Sequence, residues 1–347
     1  MEGNELTTRY WASSSQPIVE LLYENEEKQV LESLFDTSNH LHHVAIRKNS
    51  VDPLGVEIHD LVYMLATVTQ PPFIMSIGEP YSDFTSNEIW RISDMEPPTR
   101  RMFQHLLIDS CPQKNEFGMS PLVIDVGANL GFLSAYSAVM GCDVTLIEAQ
   151  PRLFPFIENT LLVNGITHKV ETHNYIIYPN ETARMQINYA FPCWACSKVS
   201  PVNDSAIPNP NITSYRITPK RLESFINRDV LLMKIDVEGY EVLVMESGLS
   251  AFSRFNVQNL LIEWGPKRWP HPWKQGSAVL KSLCEMGYKI RHYELRMELP
   301  TTIATHETTD PLVKALWKIP CDKIDAMNEY LYSTSGYGEA NLWLSKT

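Results

Sequence analysis

The stretch Val123-Ile124-Asp125-Val126-Gly127-Ala128-Asn129-Leu130-Gly131-Phe132-Leu133-Ser134 carries an apolar strand into a small-residue turn and then into helical spacing. Gly127 and Gly131 lack a Cβ, so the turn can be tight and a ligand can lie against backbone N–H groups where the next helix begins. A second apolar run, Val144-Thr145-Leu146-Ile147, ends at Glu148. That is the spacing at which an acid accepts the two ribose hydroxyls in dinucleotide-binding folds. Strand, glycine turn, helix, strand and acid make half a site for an adenosine-containing cofactor.

A second stretch, Leu231-Leu232-Met233-Lys234-Ile235-Asp236-Val237-Glu238-Gly239-Tyr240-Glu241, is anomalous for a buried parallel strand, which should read as continuous apolar residues. Alternation puts Lys234 and Asp236 on one face, toward the carboxyl end where open α/β sheets bind ligands. A Lys–carboxylate pair internal to the sheet is the structural alternative for Lys234. Asp236 and Glu238, leaving the strand into the cleft, are the candidate catalytic pair, as proton acceptor or as the group that positions an acceptor. His173, His271 and Glu263 are weaker candidates, Glu263 as a contact to acceptor or metal.

The elements that must position these residues follow a βαβ rhythm from about residue 120. Strands are expected at Leu122–Val126, Asp143–Ile147, Lys169–Ile177, Val230–Asp236 and Val257–Glu263, with helices at Phe132–Met140, Arg152–Asn164, Pro219–Ile226 and Tyr240–Glu246. A doubly wound, mostly parallel α/β sheet results. A helix at Ser277–Met286 and strands at Tyr288–Leu295 and Asn341–Ser345 complete it, the late strands as an antiparallel edge. Residues 179–215, rich in Pro and Asn, form an insertion of the kind that makes lids or binding loops. Residues 1–117 read as a helical and irregular cap, with helices at Ile18–Phe35 and Pro98–Ile108, and residues 118–347 as the catalytic domain.

Four blocks, VIDVGANLGFLS (123–134), LIEAQPRLFPFIENTLLVNG (146–165), RLESF (221–225) and LLMKIDVEGYEVLVMESG (231–248), resemble in order and spacing the FkbM-type S-adenosylmethionine-dependent methyltransferases. The resemblance covers roughly residues 119–265 and the terminal strand. It implies a class I methyltransferase, with a seven-stranded Rossmann-like sheet, using S-adenosyl-L-methionine. Asp125, Gly127, Asn129 and Gly131 would cradle the methionine end, Glu148 the ribose, and Asn174 or Tyr175 the adenine edge. Ala149 replaces the family's usual Pro and Glu223 its usual Asp, and the cap and insertion have no counterpart. Acids such as Asp125, Glu148 and Asp236 suit a ligand with a cationic ammonium and sulfonium better than a pyrophosphate. The expected reaction is O-methylation of a small-molecule or glycan-type acceptor. An NAD-dependent oxidoreductase and a non-catalytic cofactor-binding module are the alternatives; against the first stands Asn129 where the middle glycine would be.

Composition narrows the partners. The formal net charge of −12 over 347 residues, without a long basic run, weighs against nucleic acid. No apolar stretch approaches the roughly 18 residues that span a bilayer. The acidic start Met1-Glu2-Gly3 lacks the basic and apolar regions of a secretory signal, so the expected location is cytoplasmic. Six scattered cysteines read as ordinary thiols, the Cys193-Trp194-Ala195-Cys196 pair included, and no metal is expected. Asn180-Glu181-Thr182, Asn203-Asp204-Ser205 and Asn211-Ile212-Thr213 match the glycosylation pattern at a frequency that chance supplies. The His40-Leu41-His42-His43 cluster reads as a solvated helix end.

Overall fold

The computed structural model of the protein describes residues 43–51, 57–81, 83–190, 193–204, 209, 212–293, 299–308, 316–335 and 338–346. The expected helix Ile18–Phe35 and the side chains of the His40–His43 cluster and of Cys193 and Cys196 lie outside the described residues. The N-terminal region opens as an antiparallel meander of β1 (His43–Val51), β2 (Glu57–Ala66) and β3 (Ile74–Ile77). Two helices follow, α1 (Phe84–Ile92) and α2 (Pro97–Leu107). A cap of helices and irregular chain therefore also holds a sheet. The unbroken apolar run at the end of β2 lacks the alternation that announces a strand. Asp83 caps α1 by accepting the Ser86 N–H at 2.8 Å, and paired prolines open α2.

The main domain runs through β4 (Leu122–Val126), α3 (Phe132–Val139), β5 (Asp143–Ile147), α4 (Phe154–Val163) and β6 (Val170–His173). A short β7 (Ile176–Ile177) leads to an antiparallel meander inside the insertion, β8 (Met185–Ala190), β9 (Cys193–Pro201) and β10 (Ile212–Ile217). Then come β11 (Pro219–Lys220), β12 (Val230–Ile235), α5 (Glu241–Glu246), α6 (Leu249–Phe252), β13 (Val257–Trp264), α7 (Trp273–Glu285) and β14 (Tyr288–His292). The described chain closes with β15 (Thr305–Thr308), β16 (Leu316–Ile319), α8 (Ile324–Ser333) and β17 (Ala340–Lys346).

Nine strands form one mixed sheet in the order β15-β16-β14-β17-β13-β12-β4-β5-β6, with β13, β12, β4, β5 and β6 parallel. This corrects the expected seven strands, while the late strands do stand antiparallel on one side of the sheet. The terminal strand β17 lies inside the sheet, antiparallel to both β13 and β14, and the edge is β15. The segment that reads as a polar excursion supplies β15 and β16, too short for periodicity to reveal. The expected strand at 169–177 breaks at Asn174, whose amide donates to the carbonyls of Glu148 and Ala149 at 3.0 Å each, so β7 leaves the sheet to pair with β11. The expected helix at 219–226 is instead β11 followed by a single 3₁₀ turn over Leu222–Phe225.

The two faces of the sheet carry separate cores. Val123, Leu146, Leu232 and Leu261 pack with Phe73, Met75, Ile89 and Met102 of the N-terminal region. Ile124, Met233, Ile235 and Ile262 pack with Val244, Leu280 and Met327 on the other side. Lys234 follows Leu232 in the alternation and so faces the N-terminal region, in register with Asp125 on β4. Disulfides join Cys111 to Cys142 and Cys284 to Cys321, correcting the reading of ordinary thiols. Partners 31 and 37 residues apart in sequence are brought together only by the fold. Among the described residues no helix is long and apolar enough to cross a membrane.

Candidate active site

The glycine turn closes against two neighbouring strands. A Cβ on Gly127 (φ +79°) would stand 1.8 Å from the Asp236 carbonyl oxygen, so the end of β12 can approach only a glycine there. Gly131 (φ +77°) caps α3 over Ile157 and Leu146. Asn129, also left-handed at φ 54°, donates its N–H to one Glu148 oxygen at 2.8 Å, while the other accepts the Gln150 N–H at 2.6 Å. The Asn129 amide reaches Thr85 of α1 at 3.3 Å. Glu148 thus holds the turn in shape and still faces the cavity. Burial pushes its carboxyl up to about 7, against the two N–H groups that favour the anion.

A cavity open in part to solvent lies over the carboxyl ends of β4, β5 and β12. Gly127, Asn129, Glu148, Tyr175, Asp236 and Glu238 line it, as do Glu96 from the N-terminal region and Ser197 and Val199 from β9. The structure therefore brings together six of the expected site residues. Asp125 and Gly131 do not line it. Asp125 is fully buried, accepts the Ser134 hydroxyl at 2.6 Å, and serves the cavity only through Lys234. Asn174 spends its amide on the Glu148 and Ala149 carbonyls and faces a shallower pocket with His173. His173 stacks near Tyr175 and Phe225, and His271 on Trp269; neither lines the cavity or the cleft beside it.

Past Lys234 the cavity opens into a wider cleft that also exposes Glu88, Glu263, Arg268, Tyr293 and Glu339. Lys234 and Asp236 form an ion pair at 3.1 Å, almost out of water. Burial opposes the charge on both. Asp236, Glu96 and Asp125 outweigh it at Lys234, holding the ammonium well above its usual range, and Lys234, Glu263 and Arg268 outweigh it at Asp236, whose carboxyl lies below the usual range. Arg268 binds Glu238 at 2.8 Å, Glu263 at 2.5 Å and Glu339 at 3.1 Å. Carboxylate oxygens of Asp236, Glu238 and Glu263 lie within 4.8 Å of one another, and Arg268 is the cation that this cluster holds. Burial and Asp236 push the Glu263 carboxyl far up, against Arg268. Burial and Asp236 also raise Glu238, to about 7, against Arg268; its backbone is left-handed at φ 55°.

Sequence reasoning missed Glu96, Ser197, Val199 and Arg268, because each comes from a loop or element whose approach to the cleft is a tertiary event. One signal existed for Glu96. It precedes the Pro97-Pro98 pair that opens α2, and Glu in place of Ser, Thr, Asp or Asn at a helix cap is unusual.

Parallel strands, a glycine turn and an acid at the end of the second strand define a Rossmann-like α/β fold. Residues 125–290 match the Methyltransferase FkbM domain. Similar solved structures include methyltransferase FkbM from Methylobacillus flagellatus KT, at 15% identity over 58% of this chain and 44% of that one, with a TM-score of 0.32. An rRNA methylase from Streptococcus thermophilus has 12% identity over 71% and 94%, with a TM-score of 0.32. TYW2 of P. horikoshii in complex with MeSAdo has 13% identity over 82% and 72%, with a TM-score of 0.32. No curated protein sequence matches the chain.

Proposed function

We propose that the protein is an S-adenosyl-L-methionine-dependent methyltransferase acting on a hydroxyl oxygen of a small-molecule or glycan-type acceptor. The observation that carries this reading is one continuous space: a cavity beside Gly127, Asn129 and Glu148 opens at Asp236 and Glu238 into a wider cleft. The donor set fits the cofactor. Glu148 presents a carboxylate to a ribose, Tyr175 and Ile187 offer an apolar wall to an adenine, and Glu96, Asp236 and Glu238 give the inner end a negative field for a cation. When bound, the cofactor supplies the methyl group.

The chain's own residues orient and deprotonate the acceptor. Asp236, kept ionised by Lys234, accepts a hydrogen bond from the acceptor hydroxyl and fixes its direction. Glu238, raised into the neutral range and steadied by Arg268, takes the proton at its carboxylate. The cleft holds more acids than bases, with Glu88, Glu96, Glu238 and Glu339 facing it, which weighs against a phosphate-rich acceptor such as nucleic acid. The two disulfides favour an oxidising compartment over the cytosol. Incubating the pure protein with methyl-labelled S-adenosylmethionine and a metabolite extract tests the reading. Label in a hydroxyl-bearing product supports it; tighter binding of NAD than of S-adenosylmethionine refutes it.

A further inference from the structure

The inner cavity and the outer cleft meet at a waist faced on both sides by Glu96, Asn129, Lys234, Asp236 and Glu238. A methyl group passing from a cofactor in the first space to an acceptor in the second must cross this waist, so the positive sulfur that carries it comes to the same place. Most of the charge there is already matched, Lys234 by Asp236 at 3.1 Å and Glu238 by Arg268 at 2.8 Å. Glu96 is the exception: among the described residues no basic side chain closes an ion pair with it. It is held in the left-handed region (φ 42°, ψ 64°), a conformation that costs free energy for any residue but glycine, with the rigid Pro97-Pro98 pair directly behind it. Backbone strain and a carboxylate that shares the field of Lys234 with Asp236, and closes no ion pair of its own among the described residues, coincide where the two spaces join.

Resting on the methyltransferase reading, we propose that Glu96 is a positioning residue that recognises the cofactor's positive sulfonium, so that the N-terminal region completes the pocket and lets it distinguish the methyl donor from its neutral thioether product. A half-buried carboxylate attracts a cation more strongly than it would in water, and a neutral thioether gains nothing from it. The groups around Glu96 decide its charge in the empty pocket. Burial pushes its carboxyl up to about 7, Lys234 on β12 opposes this, Asp236 beyond β12 and Glu88 on α1 add to it, and Thr99 on α2 opposes it. Preference for the cationic ligand therefore belongs to the ionised form and falls as the pH drops through that range. Glu148 also titrates near 7 but meets the ribose that both ligands share, so it cancels in their ratio; Glu238 lies near 7 as well and faces the same waist, so the comparison with Glu96→Gln is what assigns the effect to Glu96.

Calorimetry on the full chain with S-adenosylmethionine and S-adenosylhomocysteine, at about pH 8 and about pH 6, tests the assignment. The parent is expected to prefer S-adenosylmethionine at the higher pH and to lose part of that preference at the lower. Glu96→Gln is expected to weaken S-adenosylmethionine roughly fivefold or more, to change S-adenosylhomocysteine less than about twofold, and to reduce the pH dependence of their ratio to the part that Glu238 supplies. Glu96→Asp, which keeps the charge, should retain most of the preference. Equal effects of Glu96→Gln on both ligands, or a parent ratio that does not move between the two pH values, overturns the role of Glu96. The second outcome needs no variant to fold. A parent that binds neither ligand overturns the methyltransferase reading beneath it.

Discussion

Replacing Lys234 by Met removes the one cation buried among Asp125, Asp236 and Glu96 while keeping an apolar stem of similar length. The Lys234 side chain is 5% exposed and its ammonium stands 3.1 Å from Asp236. At an effective dielectric of about 20, that pair attracts by roughly 5 kcal/mol, and burial of both charges offsets part of it. Without the ammonium two carboxylates stay buried and uncompensated, so the loss is expected at about 3 to 5 kcal/mol. The pH dependence gives the argument a sign. In the parent, the Asp236 carboxyl lies below its ordinary range, so its contribution is present above that range and lost as the pH falls through the folded value. In Lys234→Met the Asp236 carboxyl rises instead, and the Asp125 carboxyl, which burial already raises in the parent, rises further; their contribution is present at low pH and lost as the pH climbs. Denaturant unfolding of both proteins from about pH 4 to about pH 8 should show a deficit that is widest at the alkaline end. Asp236→Asn leaves Lys234 facing Asp125 and Glu96, so it should cost less stability, about 1 to 2 kcal/mol, while lowering single-turnover methyl transfer roughly a hundredfold. A Lys234→Met protein within about 1 kcal/mol of the parent at about pH 8 refutes the reasoning.

Glu148→Gln should weaken S-adenosylmethionine by on the order of 2 kcal/mol in calorimetry, because the amide has one accepting oxygen where the carboxylate has two and sets an NH2 donor against one of the turn N–H groups. Because burial holds the Glu148 carboxyl near 7, thermal stabilisation of the parent by the cofactor should be larger at about pH 8 than at about pH 6. Gly127→Ala should cost roughly 3 kcal/mol or more in chemical unfolding, since its Cβ meets the Asp236 carbonyl at 1.8 Å in a left-handed turn; near-parental stability would mean that β12 can retreat from the turn. Removing either disulfide by a Cys→Ser pair should lower stability by about 3 to 4 kcal/mol from the chain entropy of its loop, and mass spectrometry without reductant should find both crosslinks.

Much of the site was legible in the chain itself. β4 and β5 fall where the apolar runs place them, at Leu122–Val126 and Asp143–Ile147, because a buried parallel strand has no other composition available. Gly127, Asn129 and Glu148 meet because a strand, a turn and the next parallel strand leave local geometry little choice. Alternation alone put Lys234 and Asp236 on one face, and they pair there. What lies opposite that face is set by contacts distant in sequence. The N-terminal region lays Phe73, Met75 and Ile89 on the sheet and thereby carries Glu96 to the cleft. The insertion turns from an apparent loop into a meander whose β9 supplies Ser197 and Val199. β17 enters between β13 and β14 and leaves the edge to strands too short to announce themselves. The cysteine pairs likewise exist only once the fold has closed. Local periodicity reports which residues can be buried together within one element; it carries no record of which distant surface will bury them.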